Sequence, residues 1–335
     1  MSQKRHKIEH PQQNYRRQTL IWLLLLLLIL LPLCTVATYT WFAISRTPKV
    51  SDMEMTINSG VGLQIAWSAD APEEEWLQHL SFTDAIPQDT LLTPVTWSDE
   101  QGAFYTTIYG YDGRTLALDR RLSDDVDANT PDGCYVKFTL YGRTDEHMDI
   151  SLAPAYTDET GSALGGTYLM GRPIWNPETI SHYDGGYGSQ SAVRVGLRVT
   201  KFDPVSGDRE DSTFIVYEPN ADTHVDGSTG FIDTPSVDGT DHLVSEDRLI
   251  RQSGSEWYER NPVVRDDPRW IVGAFQGDTF LFDLTPDRMV QIDVYIWMES
   301  LDADCVNAVT QGAQLFANLQ FLAESHDQSG LHPIE

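Results

Sequence analysis

Residues 193–200 read VRVGLRVT, with Val193, Val195, Leu197 and Val199 alternating with Arg194, Gly196, Arg198 and Thr200. A two-residue period sends the two sets to opposite faces of an extended strand, whereas a helix would repeat its apolar residues every three or four positions. The same reading extends outward. Val290, Ile292, Val294, Ile296 and Met298 alternate with Gln291, Asp293, Tyr295 and Trp297, and the large apolar residues in both sets predict a central strand covered on both sides. Cys134–Tyr141, His147–Leu152, Phe214–Tyr217 and Leu315–Phe321 are further strand candidates. Met53, Met55 and Ile57, the turn Asn58-Ser59-Gly60, and then Leu63, Ile65 and Trp67 predict a hairpin. Helical signals are confined to Glu73–Leu80 and Pro177–His182. Many strands joined by long loops rich in Gly, Asp, Asn, Pro and Thr, notably 154–192 and 218–247, predict an all-β, jelly-roll-like β-sandwich.

Ahead of the strands lies sequence of another kind. No charged residue occurs from Gln18 to Ser45, and Leu20 to Leu31 is unbroken apolar sequence. Leu20 to Ile44 would span roughly 37 Å as a helix, enough for a hydrocarbon core of about 30 Å. Lys4, Arg5, Lys7, Arg16 and Arg17 precede it against Glu9 alone, which orients the N-terminus to the cytoplasm. The expectation is one N-terminal transmembrane helix as a single-pass anchor in the cell membrane, with the C-terminal domain extracellular. Pro32 and the small residues of Thr35-Val36-Ala37 leave open a cleaved signal and secretion after cleavage near Ala37. The chain then divides into a basic cytoplasmic tail (1–18), the signal-anchor (19–45), the β-sandwich (46–322) and a polar C-terminal tail (323–335).

The formal charge is −27. Such an acidic surface repels nucleic acid and attracts divalent cations. Beyond the apolar segment only Lys49, Lys137 and Lys201 are lysines, and the arginines that make up the rest of the basic residues suit planar pairing with carboxylates. Cys34 lies in the apolar segment, leaving Cys134 and Cys305 either as separate buried thiols or as one bridge.

Motifs for catalysis are missing. There is no HExxH, no GxSxG, no phosphate loop and no CxxC, so the chain reads as a non-enzyme with no organic cofactor. One loop suggests metal: Asn220, Asp222, His224 and Asp226 alternate ahead of Gly227, which makes Asn220, Asp222 and Asp226 candidate calcium ligands. His224 is a poor calcium ligand and the closing glutamate is absent, so a solvated acidic turn is the competing reading. Two aromatic groups, Trp175, Tyr183 and Tyr187, and Trp97, Tyr105, Tyr109 and Tyr111, would suit sugar stacking or would cap the ends of a core. A hydrolase would have to assemble distant carboxylates such as Asp184, Asp233 or Asp302.

The junction Ala37-Thr38-Tyr39-Thr40-Trp41-Phe42, followed by Met53 to Ile65 with its INSGVGLQI, resembles the start of the TasA/camelysin family of exported surface proteins. Val294 to Cys305 (VYIWMESLDADC) resembles the penultimate segment of exported proteins with the same N-terminal layout. The resemblance implies a jelly-roll domain at the cell surface, in some members assembled into biofilm-matrix fibres by strand addition. The functional expectation is a membrane-anchored or secreted surface protein of structural or adhesive role, whose partners are the membrane, further copies of itself or the matrix. A carbohydrate-binding module is the alternative.

Overall fold

The computed structural model describes residues 21–26, 28, 49–81, 92–109, 116–130, 133–157, 163–172, 192–219, 221, 243–253, 256–259, 268–271, 273–302, 305 and 311–326. The chain divides into two compact units, Met1–Thr47 and Pro48–Glu335. In the first, residues 21–26 and 28 are helical, with their apolar side chains exposed. The second is built of β-strands.

Its smaller sheet has six strands around β20 (Gln311–Ser325). β1 (Lys49–Ser59) runs parallel to β20 on one side, with β3 (His79–Ser81) antiparallel beyond it. On the other side two strands share β20 end to end. β8 (Met148–Leu152) pairs with Phe321–Ser325, and β11 (Tyr168–Arg172) pairs with Gln314–Asn318. β18 (Phe280–Leu284) closes the sheet outside β8. Between β8 and β11 the chain leaves the sheet as a short hairpin, β9 (Tyr156–Thr157) with β10 (Ala163–Gly165).

The larger sheet has ten strands. β17 (Phe275–Gln276), β14 (Leu249–Gln252), β13 (Thr213–Glu218), β12 (Val193–Phe202) and β19 (Met289–Glu299) follow one another in space. The far edge of β19 is again shared: β7 (Val136–Thr144) pairs antiparallel along Val290–Ile296, and β4 (Pro94–Ser98) pairs parallel at Met298–Glu299. β2 (Leu63–Ala66) lies beyond β7, and β5 (Ala103–Tyr109) and β6 (Leu116–Arg121) lie beyond β4. β15 (Glu256–Glu259) and β16 (Pro268–Ile271) pair with each other.

One core lies between the two sheets. Ile57, Ile150, Leu152, Leu315, Leu319 and Phe321 from the smaller sheet meet Val195, Leu197, Leu140, Ile292, Val294 and Ile296 from the larger. A second cluster covers the other face of the larger sheet. Here Val95, Trp97, Phe104, Leu122 and Tyr135 pack on Phe214, Val216, Tyr295 and Trp297. Every residue of β19 except Gln291 is therefore buried.

Several expectations are corrected. No sheet closes into a barrel as a jelly roll requires, and both sheets include parallel pairs (β1 with β20, β13 with β14, β19 with β4) where that fold is built from antiparallel strands. The mostly-β reading stands; the jelly-roll-like β-sandwich does not. The expected transmembrane anchor is overturned as well. Among the described residues no helix is long and apolar enough to cross a membrane. The single-pass localisation, the membrane partnership and the surface-anchored or fibre-forming function lose their structural support together. The cleavage position near Ala37 lies outside the described residues.

Local readings shift too. The expected hairpin of Met53–Ile57 with Leu63–Trp67 does not form, because β1 pairs with β20 and β3 while β2 pairs with β7 in the other sheet. Gly62, at φ +105, makes the corner that carries the chain from one sheet to the other, and the Ser59 hydroxyl braces it by donating to the Leu63 carbonyl at 2.7 Å. Glu73–Leu80 yields a single 3-10 turn, Glu73–Glu75, before β3. β20 continues to Ser325.

Gly166 returns the β9–β10 excursion to the sheet at φ +86, and a Cβ there would sit 2.1 Å from the Pro154 carbonyl oxygen. Gly166→Ala should lower stability by about 1–3 kcal/mol from backbone strain alone, with steric overlap adding to it. Urea unfolding of the full chain checks this; an unchanged midpoint would contradict the described turn.

Candidate functional site

Among the described residues a buried cluster of charged side chains lies at one end of the larger sheet, on the face that carries the aromatic cluster. Arg194 on β12 stands opposite Trp297 on β19, and one step beyond the Val195–Tyr217 pair it faces Glu218 at the end of β13. Glu218 in turn stands opposite Arg251 on β14. The row Trp297–Arg194–Glu218–Arg251 thus crosses four strands, with alternating charge across the last three.

The bonds follow the row. Arg194 Nη2 donates to Glu218 Oε1 at 2.7 Å and to Asp302 Oδ2, in the turn after β19. Arg251 Nε donates to Glu218 Oε2 at 3.2 Å, and its Nη1 reaches the exposed Glu246 at 2.7 Å. The side chains of Arg194, Glu218 and Asp302 are 1%, 1% and 0% exposed. The fourth carboxyl is Glu299, which accepts from Trp297 Nε1 at 3.0 Å and from the Leu301 backbone N–H at 3.1 Å. Burial pushes the Glu299 carboxyl up to about 7, against the opposing pull of the Trp297 bond and the Arg194 charge. Its direct donors, Trp297 Nε1 and Leu301 N–H, are uncharged.

Next to this centre is a neutral network of the same depth. The Tyr217 hydroxyl donates to Gln252 Oε1, and Gln252 Nε2 donates to the carbonyls of Thr167 at 3.2 Å and Gly273 at 2.9 Å. Burial raises the Tyr217 hydroxyl far above the ordinary tyrosine range, so it stays protonated. The network ties β13 and β14 to Thr167, the residue before β11, and so joins the two sheets.

The residues singled out from sequence fall differently. Asn220, Asp222 and Asp226, the candidate calcium ligands, lie outside the described residues, as do Asp184, Asp233, Trp175, Tyr183, Tyr187 and Tyr111. Among the described residues no group of three or more His, Cys, Asp or Glu is arranged to hold a metal ion. Asp302 is buried and bound to Arg194 rather than facing a second catalytic carboxylate. Trp97 is 4% exposed and stacks on Phe214 at 4.0 Å, which assigns it to the core and not to a sugar platform. Tyr105 is half-buried on β5. Cys134 and Cys305 pack in different clusters and are not bridged to each other. The sequence reading missed Arg194, Glu218, Glu299 and Arg251. Their only signal was that each charge stands at or near the end of a strongly apolar run.

No family model matches this sequence, and neither the curated proteins nor the solved structures include a match. Fold and centre together define the class: a β-rich protein of two packed, open sheets, with a buried arginine–carboxylate centre closing one end of the larger.

Arg194→Leu would leave Asp302 and part of Glu218 buried without their counter-charge. The expected loss is about 3–5 kcal/mol in urea unfolding, and a loss under 1 kcal/mol would mean that the centre is wet. Glu299 gives a pH signature. The folded chain holds its proton more tightly than the unfolded chain, whose carboxyl titrates near 4.5, so ionisation favours unfolding. This contribution is unchanged below pH 4.5, turns against folding as pH rises to about 7, and levels off above that, for a total of about 3 kcal/mol. Glu299→Gln gives up one of the two accepted bonds, so it lowers stability at pH 4.5 but flattens this slope. Unfolding free energies of both chains from pH 4 to 8 check it.

Proposed function

We propose that this chain is a non-catalytic, β-rich binding domain. The observation that carries the reading is the state of its clustered carboxylates. Glu218, Asp302 and Glu299 form a buried carboxylate cluster among the described residues, and each is 1–2% exposed and already engaged by arginine, indole or backbone donors. A general acid or base must lie within hydrogen-bond reach of a substrate proton, and these groups spend their reach on bonds between strands and within the end of β19 and its turn. The perturbed carboxyl of Glu299, which in a cleft would mark an active site, is here the cost of ending a two-faced buried strand in a charged turn. The centre then works as a clasp that fixes the ends of β12, β13, β14 and β19 and keeps the larger sheet rigid. The resemblance of the N-terminal junction and of Val294–Cys305 to the TasA/camelysin family accords with a role exercised without turnover.

The test is a turnover screen of the purified full chain on ester, peptide, phosphoester and glycosidic substrates. The expected result is no rate above background. A rate that disappears in Asp302→Asn or Glu299→Gln, with the fold intact by circular dichroism, would overturn the proposal.

A further inference from the structure

Between the aromatic cluster and the lower end of the larger sheet, the same face carries a polar strip. Thr139 on β7, Asp293 on β19, Arg198 on β12 and Phe214 on β13 stand in register, and Tyr141, Gln291 and Thr200 form the next row. Most of the strip is satisfied internally. The Asp293 carboxylate accepts from the Thr139 hydroxyl at 2.7 Å and from Gln291 Nε2 at 3.0 Å, with Lys137 Nζ 4.0 Å away. Lys137 is bound to Asp124 at 2.8 Å, Arg209 donates to Gln291 at 2.8 Å, and the hydroxyls of Thr200 and Ser212 pair at 2.8 Å.

Arg198 is the exception. Its guanidinium lies 5.0 Å from the ring centre of Tyr295, 5.5 Å from Trp97 and 5.7 Å from Phe214, and among the described residues it has no hydrogen-bond acceptor. Asp293 stands directly across from it in the ladder, yet the two make no ion pair, because the carboxylate is held from its other side. The three rings are 0–5% exposed and fixed by packing, whereas Arg198 is half-buried with part of its surface towards solvent. Rings hold a guanidinium through its face and leave the in-plane N–H donors free. A planar cation pinned in place with unused forked donors is prearranged for a two-point acceptor.

We propose that Arg198 anchors a binding site for a carboxylate-bearing ligand. The proposal gives the binding-domain reading its ligand class and rests on that reading. Carboxylate is favoured over phosphate by charge. Asp293 and Asp124 flank the strip and the chain carries −27 overall, so a singly charged anion meets less repulsion than a doubly charged one and still matches the fork. The Thr200–Ser212 hydroxyl pair, two residues along β12 from Arg198, offers the neighbouring polar contact.

The experiment is NMR of the arginine Nε–H groups in the full chain, titrated with acetate and separately with inorganic phosphate at constant ionic strength. A saturable shift of the Arg198 signal by acetate at millimolar concentration is expected, with phosphate weaker. Arg198→Gln should abolish saturation. Arg198→Lys keeps a cation over the rings but loses the fork, so it should weaken acetate by about tenfold, and it supplies the comparison if the glutamine variant does not fold. No saturable shift, tighter binding of phosphate, or unchanged affinity in the lysine variant would each overturn the proposal. Such a failure leaves the non-catalytic reading intact, because that reading depends on the buried centre, and turnover of a substrate would remove the non-catalytic reading without touching saturable binding.

Discussion

Strand β19 has water on almost none of its length, and most of the architecture follows from that constraint. Ile292, Val294 and Ile296 are covered by the smaller sheet, as an inward face should be. Tyr295 and Trp297, on the other face, must be covered too, and the chain supplies β4, β5 and Tyr135 to do it. Burying Tyr295 and Trp297 removes large apolar surfaces from water and so contributes to offsetting the ordering of that layer. On the same face the neighbouring ends of β12 and β13 are buried as well. Arg194 and Glu218 thereby become interior residues, and a charge in the interior must find its partner there. The arginine–carboxylate row is thus a consequence of the two-faced strand and not an independent feature.

Strand positions were legible in the sequence, and strand partners were not. VRVGLRVT and the run from Val290 to Met298 announce their period, and β12 and β19 form where the alternation stands. Alternation says which residues share a face, but says nothing about the neighbour across the ladder. Adjacent segments are natural candidates for pairing, and Ile57 and Leu63 are close enough in sequence to suggest a hairpin. The structure instead turns a corner at Gly62, because each segment finds a longer apolar partner elsewhere: β20 for β1 and β7 for β2. Long-range partners leave no local mark. The buried charges were hidden for a related reason. An arginine in an alternating strand reads as the solvent-facing half of the period, and only the third layer reverses that assignment for Arg194.

The acidic balance of the chain sharpens the contrast between its arginines. Arg194 and Arg251 are consumed by carboxylates in the centre, Arg120 pairs with Asp127, and Arg143 bonds Gln64 and Glu73 while lying over the Trp76 ring. With 50 acidic residues available, pairing is the default outcome for a cation. Arg198 escapes it because rings pack round its guanidinium while the Asp293 carboxylate is held from its other side by Thr139 and Gln291. A sequence reading weighs residue types and spacing. It has no access to the competition between rings and carboxylates for one side chain, which is settled only by which strands become neighbours.

The parallel union of β1 with β20 links positions that synthesis separates widely. Asn58 and Asn318, 260 residues apart, meet side chain to side chain in this pairing. Among the described strands, the central strand of the smaller sheet is therefore the last to leave the ribosome, while its partner is the first. Until it arrives β1, β8 and β11 have no common partner, and their unpaired backbone edges must wait. The larger sheet has a similar interval, since β19 emerges long after β4, β7 and β12. Assembly of both sheets waits on β19 and β20, and the period before these strands emerge is when the nascent protein most needs protection from other chains.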